Sequence, residues 1–63
     1  MHPEVYRLLS MRDVTERTSL SEATVRRLVD ANQFARPVKL SRNRVAWREP
    51  DVTAWITSRV ETA

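Results

Sequence analysis

Apolar positions along the chain change their spacing twice, and each change marks an element. From Ser10 to Ala31 they recur at helical intervals, from Pro37 to Arg48 they alternate, and from Pro50 to Val60 the helical interval returns. Ser10-Met11-Arg12-Asp13 has the form of a capping box, with Leu9 before it and Val14 after it at the spacing of a hydrophobic staple. A first helix is predicted from Met11 to about Arg17. Thr18-Ser19-Leu20 breaks the pattern, and Ser21 then serves as a second N-cap with Glu22 in the first turn. The second helix runs from Glu22 to about Ala31, and Asn32 fits a left-handed C-cap.

At about 100° per residue, Val25, Leu28 and Val29 define the buried face of that second helix. Ala23, Arg27 and Asp30 point away from it, with Thr24 and Arg26 on the flanks. Two short helices joined by a tight turn make a helix-turn-helix, whose second helix enters a major groove N-terminus first. Farther on, Val38 and Leu40 alternate with Lys39, and Val45 and Trp47 alternate with Arg44, Ala46 and Arg48. Ser41-Arg42-Asn43 between them reads as a turn, with Asn43 suited to positive φ. That hairpin is predicted to turn its apolar residues inward and Lys39, Arg44 and Arg48 outward, with Arg42 at the tip. Tyr6-Arg7-Leu8 has the composition of a short extended segment, and Glu49-Pro50-Asp51 opens a third helix. The fold class is mainly α with a small β-hairpin: a winged helix-turn-helix of three helices and a two-stranded wing. Residues 1–6 read as a flexible N-terminal tail, and 7–61 as the domain.

The predicted core is Leu8, Met11, Val14, Leu20, Val25, Leu28, Val29, Phe34, Val38, Leu40, Val45, Trp47, Val52, Trp55, Ile56 and Val60. It must suffice alone. A chain of 63 residues buries only about 60% of its unfolded surface, and no cysteine is present to form disulfides or thiolate metal sites. Trp47 and Trp55 each fall on the apolar phase of their element, which makes them core anchors before base-stacking platforms. The lone His2 has no second imidazole for a zinc site. No cysteine nucleophile, glycine-rich phosphate loop or ligand cluster supports catalysis, so a non-enzymatic protein without cofactor or metal is expected. No apolar run approaches the roughly 20 residues of a membrane span, and no signal-peptide core is visible, so a cytoplasmic location is expected.

Charge sharpens the picture through its distribution. The net charge is +3, yet between Thr24 and Arg48 seven basic residues face Asp30 alone, while the segments on either side are mildly acidic. A basic patch on a binding element is the electrostatic footprint of a nucleic-acid surface; taken alone, it is equally a solvated charged face. The candidate DNA-binding residues are Ser21, Ala23, Thr24, Arg26 and Arg27 on the second helix, and Lys39, Arg42, Asn43 and Arg44 on the hairpin. Arg27 is the candidate for direct base readout and Arg26, Lys39, Arg42 and Arg44 for phosphate. Small Ala23 and Thr24 allow close approach, and the hydroxyls of Ser21 and Thr24 can donate to the DNA backbone or a base edge.

Several runs carry a wider likeness: Arg7-Leu8-Leu9-Ser10-Met11-Arg12-Asp13-Val14, then Thr18-Ser19-Leu20-Ser21, then Val25-Arg26-Arg27-Leu28-Val29. With Phe34-Ala35-Arg36-Pro37-Val38-Lys39-Leu40, Val45-Ala46-Trp47-Arg48-Glu49, Val52 and Ala54-Trp55-Ile56, the chain resembles the AlpA family of phage and prophage regulators over residues 7 to 60. The resemblance implies a winged helix related to the excisionase and MerR types, in a small protein that binds double-stranded DNA. It implies one of two roles: a recombination directionality factor that helps a site-specific integrase excise an element, or a transcriptional regulator at a promoter. Within these 63 residues there is no ligand-sensing region and no long coiled-coil helix, which favours the architectural, excisionase role, with copies self-associating on adjacent sites. A protein-binding inhibitor module is the reading from another class, and salt dependence separates it from DNA binding. Family members usually place glycine in the turn before the second helix, at that helix's C-terminus and in the wing turn. This chain has no glycine; Ser19, Asn32 and Asn43 stand at or beside those places, and Ser19 is strained if its position requires positive φ.

Overall fold

The computed structural model describes residues 7–62, with side chains through residue 60; the predicted N-terminal tail, residues 1–6, lies outside the described residues. Six elements follow one another: β1 (Leu8–Leu9), α1 (Met11–Thr18), α2 (Glu22–Asp30), β2 (Val38–Ser41), β3 (Arg44–Arg48) and α3 (Glu49–Thr62). They form a winged helix-turn-helix, with the three helices packed against a small antiparallel sheet ordered β1-β3-β2.

Local chemistry fixes each helix end. The Ser10 hydroxyl accepts from the Asp13 backbone N–H at 3.1 Å, and the Asp13 carboxylate accepts from the Ser10 N–H at 3.0 Å, so the capping box is complete. Those hydrogen bonds favour the charged carboxylate and hold the Asp13 pKa below its ordinary 3.8, the backbone bond contributing most. At the other end of α1 Ser19 adopts φ 63°, ψ 19°, and its N–H reaches the Thr15 carbonyl at 2.8 Å. The Thr18 hydroxyl donates to the Val14 carbonyl and accepts from the Leu20 N–H, which carries the chain into the next cap. α2 ends in a Schellman motif: Asn32 takes φ 60°, the Asn32 N–H meets the Val29 carbonyl, and the Gln33 N–H meets the Leu28 carbonyl at 2.8 Å.

The core is built from Leu9, Val14, Val25, Phe34, Trp47 and Val52, with Met11, Leu20, Leu28, Val29, Trp55 and Ile56 packed partly buried around it. Leu9 and Val14, the expected staple pair, are both fully enclosed. Each such side chain contributes about 1.5–3 kcal/mol of burial. The aromatic centre is specific in geometry: Phe34 meets Trp47 edge-on at 6.1 Å and Trp55 at 4.6 Å between ring centroids. Both indoles donate to the loop that joins α2 to β2, Trp47 Nε1 to the Ala35 carbonyl at 3.0 Å and Trp55 Nε1 to the Gln33 carbonyl at 2.9 Å. The first bond ties β3, and the second α3, to the chain leaving α2.

The sheet departs from the sequence expectation in four ways. The wing hairpin has a third strand beside it, because Leu8 pairs with Arg48 and Leu9 with Trp47, and the Glu49 N–H closes the ladder on the Arg7 carbonyl. Leu8, Val38, Leu40 and Val45 are exposed, as is Val60 in the last turns of α3, whereas Leu9 and Ala46 are buried. Register accounts for Leu8 and Val38, which lie opposite Arg48 and Ala46 and so on the sheet face away from Trp47, while Lys39 lies opposite Val45. Lys39 therefore shares its sheet face with Val45 and Trp47 rather than opposing them. Third, the turn is shorter than predicted, since Ser41 pairs with Arg44 and leaves only Arg42 and Asn43 in the loop. Fourth, Asn43 does not adopt positive φ; among the described residues only Ser19 and Asn32 do. The register shifts between Lys39 and Ser41.

Candidate nucleic-acid interface

Val25 anchors α2 in the core, and the opposite face of its N-terminal half stands clear. Ser21, Glu22 and Ala23 are exposed, and so are Arg26 and Arg27 one turn on, while Thr24 is half-buried. The Ser21 hydroxyl accepts from the Thr24 N–H at 3.1 Å and donates to Thr24 Oγ1 at 2.9 Å, so the Ser21 proton is already committed to Thr24. Arg27 makes a long 3.5 Å contact to Thr24 Oγ1 and pairs with no acid among the described residues. Arg26 differs, because its Nη2 lies 2.8 Å from Glu22 Oε2. The i,i+4 spacing of Glu22 and Arg26 carries this pair in the sequence, yet a reading focused on arginine as a phosphate ligand passes over it.

An open cleft of about 590 Å³ separates α2 from the hairpin. Arg26 and Asp30 line it from α2, and Arg42, Asn43 and Arg44 line it from the hairpin tip, with Ser10, Val45 and Trp47 also in the lining. The fold thus brings Arg26, Arg42, Asn43 and Arg44 to one site from positions up to 18 residues apart in the chain. Ala23 and Arg27 lie on the adjoining outward row of α2. Lys39 does not line the cleft. Asp30 and Ser10 belong to the cleft and were missed from sequence, since only the tertiary placement of the hairpin brings them there.

The arrangement suits a polyanion. Arg42 and Arg44 are exposed and unpaired by acids among the described residues, and with Arg26 they outweigh Asp30 and the Glu22 that pairs with Arg26. The remaining ion pairs are structural: Arg17 with Glu49 at 2.7 Å ties α1 to α3, and Arg48 holds Asp51 with two hydrogen bonds of 3.0 and 3.2 Å at the start of α3. Among the described residues no group of His, Cys, Asp and Glu could hold a metal ion, and no helix is long and apolar enough to cross a membrane.

No curated protein and no solved structure matches the chain. The family of the Prophage CP4-57 regulatory protein (AlpA) matches residues 7–60, which spans every element except the last two residues of α3. By that match over most of its length, the chain belongs to the AlpA family of prophage regulatory proteins.

Proposed function

We propose that this member of a family of small DNA-binding phage regulators binds duplex DNA with α2 in a major groove and the β2–β3 hairpin on the neighbouring backbone, and that it acts as an excisionase. One observation carries the reading: α2 and the hairpin stand on opposite sides of a cleft whose rim holds Arg26, Arg42 and Arg44, with Arg27 exposed on the adjoining row. A strand of phosphates crossing between two grooves meets that rim, while Arg27 faces the base edges. Ala23 offers no bulk to hold the helix back, and Lys39 reaches phosphate beyond the cleft. One domain of this size covers a short site, so specificity comes from copies bound side by side next to an attachment site, where they recruit a site-specific integrase. The transcriptional reading is the second one, favoured by the regulatory description of the family. Affinity selection of fragmented genomic DNA from the source organism, followed by sequencing, tests both. Tandem sites beside an integrase attachment site support excision, a peak confined to a promoter supports transcriptional control, and no enrichment rejects both.

A further inference from the structure

α2 carries an acid where a phosphate-binding helix gains nothing from one. Glu22 is the first residue of α2, and its carboxylate holds Arg26 at 2.8 Å on the exposed face. The two side chains are 57% and 66% exposed, respectively, so the pair adds little to stability. Its effect on DNA is larger, because it occupies a guanidinium that would otherwise meet a phosphate. Arg26 is also four residues from a second acid, Asp30, which lines the same cleft. Adjacent Arg27 has no acid partner among the described residues. Two neighbouring arginines are thus in different electrostatic states.

We propose that Glu22 sets the ratio of specific to non-specific DNA binding. Ion-paired to Arg26, it withholds that guanidinium from the phosphates of random sequence. At the cognate site its carboxylate accepts from a base amino group in the major groove, with cytosine N4 the best match. A base that presents only acceptors there offers the carboxylate no donor and faces it with like partial charge, which penalises the wrong sequence. The inference rests on the DNA-binding reading above and adds to it a residue that selects by repulsion as well as by contact.

The test measures binding of the full chain and of Glu22→Gln to a short random-sequence DNA duplex by fluorescence anisotropy across a salt series. Freeing Arg26 for one more phosphate predicts binding about eightfold tighter at about 0.1 M salt, with a log–log salt slope steeper by about 0.9. The gain disappears when Glu22→Gln is made in an Arg26→Gln background, which an effect of net charge alone would not produce. Selection from a random library then yields a wild-type motif with one cytosine that the Glu22→Gln motif lacks. Circular dichroism confirms that the variants fold, as both sites are exposed. A Glu22→Gln chain that binds random duplex no tighter, a gain that persists without Arg26, or an unchanged motif overturns the role of Glu22. A wild-type chain that binds no duplex even at low salt overturns the DNA-binding reading itself, and the two failures are thereby told apart.

Discussion

Replacing Ser19 with glycine should stabilise the domain, and the size of the gain follows from the backbone. Ser19 sits at φ 63°, ψ 19°, where Cβ crowds the following carbonyl. That conformation costs an L-residue about 1–2 kcal/mol. Glycine removes the penalty but costs about 0.5–1 kcal/mol in unfolded-chain entropy. No hydrogen bond is lost, because the contact Ser19 makes is its backbone N–H to the Thr15 carbonyl, and its exposed side chain packs against little. The net gain is about 0.5–1 kcal/mol. For a domain of this size, with an unfolding entropy of about 2.1 cal/mol/K per residue, that raises Tm by about 4–8 °C. Asn32, at φ 60°, provides the internal control. Asparagine tolerates the left-handed region, and its Oδ1 accepts from Arg36 at 3.1 Å, so Asn32→Gly should leave Tm nearly unchanged or lower it. Thermal melts followed by circular dichroism decide the matter. A Ser19→Gly chain that melts at or below the wild type, or an Asn32→Gly gain as large as that of Ser19→Gly, refutes the strain argument.

Three further outcomes are expected. Trp47→Ala removes the largest fully buried side chain together with its hydrogen bond to Ala35; at about 3–5 kcal/mol it should leave the chain largely unfolded at room temperature by circular dichroism. Asp13 is ionised more readily in the folded chain, so its contribution is present above the unfolded pKa of about 3.8 and is lost as pH falls through the lower folded value; melts in increasingly acid buffer should show wild-type Tm dropping toward that of Asp13→Asn, whose own curve is flatter. Arg27→Ala should weaken binding to a selected site by about 1–3 kcal/mol and relax its sequence preference at one position, whereas equal losses on selected and random duplex would mark Arg27 as a phosphate contact.

The helices were legible because their determinants are local. Ser10, Asp13 and Ser21 stand at fixed offsets from the apolar positions they cap, and the structure places the helix starts at Met11 and Glu22 as read from sequence. Asn32 was legible for the same reason. The sheet was not, because register is a property of two strands at once. Alternation in β2 and in β3 each looked inward-facing, but the shift between Lys39 and Ser41 puts Val45 opposite Lys39 and Val38 opposite Ala46. The pairing of Leu8 and Leu9 with β3 depends on an antiparallel return some 40 residues away, which no local pattern announces. At the interface the residue types were visible and their partnerships were not. Arg26 and Arg27 look alike in the chain, yet one is held by Glu22 and the other is without an acid. The cleft is a product of tertiary placement, lined from α2 and from the hairpin, with the Trp47 indole tying β3 to the loop between them.

The most direct test of the central claim is the salt dependence of duplex binding by the wild-type chain and by Arg42→Ala and Arg44→Ala. If the cleft rim holds phosphate, log K falls linearly with log salt, and each substitution reduces the slope by about 0.9 without altering the selected sequence. Binding that is indifferent to salt, or slopes that both substitutions leave unchanged, would contradict a DNA interface between α2 and the hairpin.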